Sequence, residues 1–238
     1  MQMTQDRILS VEHLFVTLDT KPILEDLSFA IERGENLCII GPNGSGKTVL
    51  LKSLVGLISY TGTVKWASSV RMGYVPQKVQ ADRRLPITFR NLLASKSKLL
   101  GVPFRETKAL CNDIGLATEI LDTAVGVLSG GEFQRGLIAF ALIGMPNVLL
   151  FDEPTASVDM PGEEHLYECI HRLQDDYKLT VITVSHDLSI VNKYASKVLC
   201  LNRRKIYFGP PVDALTPEVI TSLYGVEQKY HLHPHNDD

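Results

Sequence analysis

Gly41-Pro42-Asn43-Gly44-Ser45-Gly46-Lys47-Thr48 is the stretch on which the reading of this 238-residue chain turns. Its pattern, G-x-x-x-x-G-K-[ST], is that of a phosphate-binding loop, and its flanks have the required character. Leu37-Cys38-Ile39-Ile40 ahead of it is a short apolar run that predicts a buried strand, and residues 49–55 behind it predict a helix. Gly41, Gly44 and Gly46 let the backbone turn its N–H groups inward around phosphate oxygens, and the helix start adds its positive end. Pro42, Asn43 and Ser45 complete the cradle. Lys47 is placed to reach β- and γ-phosphates, and the Thr48 hydroxyl to hold Mg²⁺. A chance Gly-rich turn is the bland alternative, and the strand–loop–helix setting argues against it. The expectation is nucleoside triphosphate binding.

The rest of the composition narrows the partners. Lys and Arg total 24 against 27 Asp and Glu, so a net charge of −3 provides no electrostatic footprint for nucleic acid. Cys38, Cys111, Cys169 and Cys200 are scattered without a C-x-x-C pair, which predicts buried, reduced thiols in a cytosolic protein and no disulfides. The first residues are polar and lead into no signal-peptide core. The most apolar segment, residues 137–151, is interrupted by Gly144, Pro146 and Asn147. It falls short of the roughly 20 residues of a spanning helix, so the chain is not expected to cross a membrane by itself.

Residues 8–16 and 23–31 contain near-alternation of apolar and polar residues around the turn-like Asp19-Thr20-Lys21-Pro22, which predicts a partly solvated antiparallel pair. Arg33-Gly34-Glu35 is the turn into the phosphate-loop strand. Residues 62–66 and 70–75 predict two short strands, with Trp66 as packing. Helical pieces at Phe89–Leu100 and 104–114, broken by Gly101, Pro103 and Gly115, predict a helical subdomain inserted over about 78–142. A helix over 130–143, a strand over 148–151, a helix over 163–177, a strand at Thr180–Val184, a helix at Leu188–Tyr194 and a strand over 197–201 complete the pattern. Strand–helix alternation around a phosphate loop predicts an α/β fold: a P-loop NTPase core with a mostly parallel sheet, an N-terminal antiparallel β-subdomain and the inserted helical subdomain.

Two further stretches carry chemistry. Val148-Leu149-Leu150-Phe151-Asp152-Glu153 is an apolar strand ending in two carboxylates. Beside a phosphate loop, Asp152 can enter the Mg²⁺ shell and Glu153 can polarise the attacking water. Without that loop the pair would read as an acidic strand end at solvent. Leu128-Ser129-Gly130-Gly131-Glu132, followed by Gln134-Arg135, is a second Gly-containing helix start and so another anion site. One chain with one pocket has no obvious use for two such sites. A dimer has, if each chain offers this element to its partner's nucleotide.

The set resembles the nucleotide-binding subunit of an ATP-binding cassette (ABC) transporter, over nearly the whole chain up to Gly225, with residues 226–238 as a tail. Gly41 to Thr48 resembles the Walker A loop, Tyr74-Val75-Pro76-Gln77 the Q-loop, and Leu128 to Glu132 the family signature. Val148 to Asp152 resembles Walker B, with Glu153 as the catalytic carboxylate. Ser157-Val158-Asp159 is similar to the D-loop and Ser185-His186-Asp187 to the switch histidine. The resemblance implies ATP with Mg²⁺, the ion held by Thr48, Asp152 and Gln77. Gln77 would alternatively touch the attacking water, and His186 would bond the γ-phosphate and orient Glu153. Ser129 and Gly131 would close over the other protomer's γ-phosphate, so that ATP joins a homodimer and hydrolysis releases it. Two polytopic membrane permease subunits would feel that movement from a site on the cytoplasmic face of the bacterial inner membrane, where this chain would sit peripherally.

Two positions depart from the family pattern. The aromatic residue that usually stacks on adenine falls at Leu18, while Phe15 is out of register and is expected in the core. Phe140 stands where family members commonly have Arg. Other stretches narrow the subfamily. Gly73 to Lys78 leading to Leu85-Pro86-Ile87-Thr88, and Val184 to Leu188 leading to Val198 to Asn202, resemble the ATPases of zinc and manganese importers, most closely the zinc-uptake subunits. A periplasmic or surface metal-binding protein is then implied as an indirect partner. In the tail, His231, His233 and His235 alternate, so in an extended chain two or three imidazoles could meet one Zn²⁺. A solvated, disordered terminus is the alternative. Two other classes compete: a soluble ABC ATPase acting on ribosomes or DNA, and a non-hydrolysing regulatory cassette. The single cassette and acidic balance argue against the first; intact Lys47, Asp152, Glu153 and His186 argue against the second.

Overall fold

The computed structural model describes residues 7–77, 86–154 and 160–225. In chain order the elements are β1 (Arg7–Leu18), β2 (Lys21–Glu32), β3 (Asn36–Ile40), α1 (Lys47–Leu54), β4 (Thr61–Trp66), β5 (Met72–Val75), α2 (Phe89–Leu100), α3 (Phe104–Asp113), α4 (Gly130–Leu142), β6 (Val148–Asp152), α5 (Met160–Tyr177), β7 (Thr180–Val184), α6 (Leu188–Tyr194), β8 (Lys197–Asn202), β9 (Arg204–Gly209), α7 (Pro211–Ala214) and α8 (Pro217–Tyr224). They form two sheets, one three-stranded in the order β2-β1-β4 and one six-stranded in the order β5-β6-β7-β3-β8-β9. The first is antiparallel. In the second only β9 runs against its neighbour. Every residue of β3, β6 and β7 is buried, as central parallel strands covered on both faces require.

The β1–β2 turn is tighter than expected. Asp19 and Thr20 both take left-handed backbone angles (φ 46° and 67°), the geometry of a two-residue hairpin turn, and Pro22 already lies within β2 opposite Thr17. β2 is an edge strand, where a residue without an N–H is tolerated. Phe15 corrects the expectation of a core residue, being 41 % exposed. His13 turns left-handed (φ 50°) and the β1–β4 register slips between Glu12 and Phe15. The irregularity leaves Leu14 and Val16 buried, which puts Phe15 on the outer face. The neighbouring strands β4 and β5 part company, one entering each sheet. No strand is expected from the sequence over Arg204–Gly209, because its cationic, half-exposed start carries little apolar pattern. Pairing with β8 makes it one.

The large sheet separates two cores. On one face Val148, Leu150, Ile182, Val184 and Leu199 pack with Leu50, Leu51 and Leu54 of α1 and with the antiparallel sheet. On the other, Leu149, Phe151 and Val181 pack with α4, α5 and the helices between β5 and β6. Within those helices Thr88 caps α2 in a reciprocal box with Asn91, and Gly101 ends it in the left-handed conformation. Gly136 of α4 packs flat against Phe89, so that an added Cβ would lie 2.1 Å from the ring. Phe89 is itself fully buried. Gly136→Ala is therefore expected to destabilise the fold by about 1–3 kcal/mol through overpacking, even though alanine is the better helix former. Urea unfolding checks this, and a variant as stable as the parent would show that the Phe89 contact yields.

Phe140 keeps a cation despite the missing Arg. Lys96 of α2 sets its Nζ 4.5 Å from the ring centre and donates to the Phe140 carbonyl at 2.6 Å. Cys38, Cys111, Cys169 and Cys200 are all buried and unpaired, and burial pushes the Cys38 and Cys200 thiols up to about 12. Their burial matches the sequence expectation. Among the described residues no helix is long and apolar enough to cross a membrane.

Candidate functional site

The parallel register gathers the predicted residues at one edge of the large sheet. Val75 of β5 pairs with Phe151 of β6, so Gln77 and Glu153 each lie two residues beyond the paired ends. They meet: Gln77 Nε2 donates to Glu153 Oε2. Asp152 in turn pairs with Val184 of β7, which brings His186 to the same end, and β3 beside β7 runs straight into Gly41. Ligands of open parallel sheets bind at these carboxyl ends.

Two glycines of the loop are demanded by close approach. A Cβ on Gly41 would lie 2.0 Å from the Leu201 carbonyl oxygen, and one on Gly46 would lie 2.5 Å from the Leu24 side chain. Gly46 also has φ 102°, which side-chain-bearing residues rarely adopt. The loop is pinned from outside, with the Ser45 carbonyl accepting from Arg203 N at 3.0 Å. These packing partners come from β2, β8 and the β8–β9 turn, and nothing in the loop's own sequence names them.

Lys47 is 6 % exposed and folds its ammonium back on the loop, donating to the Gly41 carbonyl at 2.8 Å and the Pro42 carbonyl at 3.1 Å. Burial lowers its pKa, with the charges of Glu153 and Asp152 opposing. Thr48 Oγ1 donates to Asp152 Oδ1 at 3.0 Å, across the gap between α1 and β6. Asp152 is 1 % exposed, and its burial raises the carboxyl pKa while the Thr48 hydrogen bond opposes. Glu153 leaves the strand with a left-handed backbone (φ 49°), which turns the chain out of the sheet at this point. His186 is exposed beyond β7. The next residue, Asp187, caps α6 by accepting from Ser189 N at 2.7 Å. No hydrogen bond joins His186 to Glu153 among the described residues.

Ser129, Gly130, Gly131 and Glu132 form the start of α4. Ser129 caps the helix, and its N and Oγ donate to Glu132 Oε2 at 2.8 and 2.7 Å. Those bonds hold the Glu132 carboxyl below the usual carboxylate range. No described hydrogen bond links this element to residues 41–48. Ser157, Val158 and Asp159, together with His231, His233 and His235, lie outside the described residues. Tyr74, to which the sequence assigns no role beyond its place in the Q-loop, is a neighbour of Asp152: burial, then the Asp152 charge, push its phenol up to about 12. Its place three residues before Gln77 was the available signal. A cavity of about 780 Å³ lies elsewhere, between Arg71, Met72, Lys96, Leu100 and Met145, and is lined by none of these residues.

A family model described as ABC transporter matches residues 24–156. The chain belongs to the ABC transporter family, and the fold and loop are those of its ATP-hydrolysing, nucleotide-binding component. It is 34 % identical over 239 residues to the zinc import ATP-binding protein ZnuC of Pseudomonas syringae, covering 98 % of this chain and 90 % of that one. It is 37 % identical over 221 residues to a metal transport system ATP-binding protein of Thermotoga maritima, covering 92 % of this chain and 90 % of that one. A metal-chelate type ABC transporter in an inward-facing conformation shares the fold, with a TM-score of 0.82 at 24 % identity, over 92 % of this chain and 89 % of that chain.

Proposed function

We propose that this chain is the ATPase subunit that powers uptake of a divalent metal ion, zinc or manganese, through membrane partners. The observation that carries the cargo class is its full-length similarity to a zinc import ATP-binding protein. On this reading two copies work as a homodimer beneath two polytopic permeases, on the cytoplasmic face of the bacterial inner membrane, and a periplasmic or surface metal-binding protein delivers the ion. Radiolabelled zinc uptake by cells lacking the chain tests it. Uptake restored by the wild type but not by Lys47→Ala is expected; undiminished uptake in the deletion strain would overturn the cargo assignment.

Mg²⁺ fits the site. The Thr48 hydroxyl and Asp152 carboxylate are hard oxygen donors already 3.0 Å apart, with the Gln77 amide at the same sheet edge. Thr48, Asp152 and Gln77 would hold the ion, which supplies charge neutralisation at the β- and γ-phosphates. The remaining work falls to protein groups. The N–H groups of Gly41 to Thr48 cradle the phosphates, and Lys47 exchanges the loop carbonyls for phosphate oxygens. Glu153 takes a proton from the attacking water once Gln77 releases it, and His186 bonds the γ-phosphate. Ser129, Gly130, Gly131 and Glu132 of the second chain close the site, a use for a helix start that makes no described hydrogen bond to residues 41–48 of its own chain.

Leu18 lies at the end of β1, 38 % exposed, beside the left-handed turn at Asp19 and Thr20. An aliphatic side chain there offers a base contact but no aromatic face. ATP and GTP are accordingly expected to bind within a few-fold of one another, and Leu18→Tyr to strengthen ATP binding by up to about 1–3 kcal/mol, the worth of one base–aromatic stack. Calorimetry with both nucleotides checks this; a strong ATP preference in the wild type would oppose it. For the tail, titration of Zn²⁺ into the full chain and into a chain ending at Gly225 is expected to show heat only for the former. Equal heats would remove His231, His233 and His235 as ligands.

A further inference from the structure

Tyr74 packs on the face of the large sheet that α1 covers. It stands opposite Leu150 in the parallel β5–β6 register, so Asp152, two residues further along β6, projects from that same face, diagonal to it. Diagonal neighbours on adjacent strands are within reach of a long aromatic side chain. The Tyr74 hydroxyl is withdrawn from water and has no hydrogen bond of normal geometry among the described residues. A buried hydroxyl in that state is destabilising until a partner accepts from it. Asp152 lies close enough for its charge to act on the phenol. It is itself nearly inaccessible, and its described hydrogen bond comes from Thr48 on the opposite side of the gap.

We infer that Tyr74 is a positioning residue for Asp152, its hydroxyl donating to the carboxylate and fixing the orientation in which Asp152 meets the divalent cation. This rests on the reading of Asp152 as a ligand of that ion. A neutral phenol suits the task, because it orients a carboxylate without adding charge to the site. Partners behind a metal ligand act through ion affinity, and their loss typically weakens it about 10–100-fold.

The test is Mn²⁺ binding to the full chain, followed by electron paramagnetic resonance with a non-hydrolysable ATP analogue present. Tyr74→Phe is expected to weaken Mn²⁺ binding about 10-fold, the lower end for loss of such a partner, while affinity for the analogue in EDTA stays within about twofold. Unchanged Mn²⁺ affinity would overturn the inference. So would an equal loss of analogue affinity in EDTA, or a loss seen in Tyr74→Leu but absent in Tyr74→Phe, since either result marks packing and not the hydroxyl. Asp152→Asn separates the two levels: if it leaves Mn²⁺ binding intact, the ligand assignment fails whatever Tyr74 does.

Discussion

Glu153→Gln is expected to lower ATP turnover by about 10²–10⁴-fold, the range for loss of a general base, while ATP binding persists. The geometry makes this a clean substitution. Glu153 stands at the C-terminal end of β6, its backbone already in the left-handed conformation, and its side chain accepts from Gln77. Glutamine has the same shape and can still accept through its amide oxygen, so the contact to Gln77 and the turn out of the strand are kept. It cannot take a proton from water. With hydrolysis blocked, ATP should hold the proposed dimer together, and sedimentation should show the variant shifting from monomer to dimer on addition of ATP and Mg²⁺. Wild-type turnover in Glu153→Gln would remove this residue from the chemistry. Abolished turnover without an ATP-dependent dimer would separate the catalytic proposal from the assembly proposal.

The second large effect falls on Lys47. Lys47→Ala is expected to weaken ATP binding by about 2–5 kcal/mol, the scale for truncating one member of a buried charge pair. The loop itself should survive, because its conformation is set by Gly41 against Leu201, Gly46 against Leu24 and the Ser45 carbonyl bond to Arg203. Burial makes the binding pH-dependent with a definite sign. Lys47 in the nucleotide-free protein has its pKa lowered from 10.5, and the phosphates bind the protonated form. ATP affinity should therefore fall as pH rises through that lowered value. Fold stability runs the other way, since between the folded pKa and 10.5 the unfolded chain binds more protons and stability rises with pH. Calorimetric ATP titrations from neutral to alkaline pH, paired with thermal melts, check both slopes. Persistence of the falling affinity in Lys47→Ala would assign the titration to another group.

How much of this was legible in the chain differs from residue to residue. The phosphate loop, the acidic end of β6 and the start of α4 were readable because each is a local solution to a local problem. A backbone that must wrap an anion requires glycines, and a buried parallel strand requires an unbroken apolar run. The same logic gave α2, with its break at Gly101, and the hairpin around Asp19 and Thr20. Phe15 and β9 were not readable. The slip near His13 that turns Phe15 outward depends on how β1 pairs with β4, residues some fifty positions apart in the chain. β9 exists because β8 offers it an edge.

The sequence by itself determined the class of chemistry: a phosphate loop with its lysine and threonine, two carboxylates at a strand end, and a second Gly-containing helix start. Only the tertiary structure decided which of these groups touch. The parallel register of β5 with β6 brings Gln77 onto Glu153 and sets Tyr74 diagonal to Asp152, and the packing of α1 on that sheet face lets Thr48 bond Asp152. The physical reason is that local motifs are encoded by neighbouring residues, whereas register and sheet order arise from burying apolar faces contributed by distant segments.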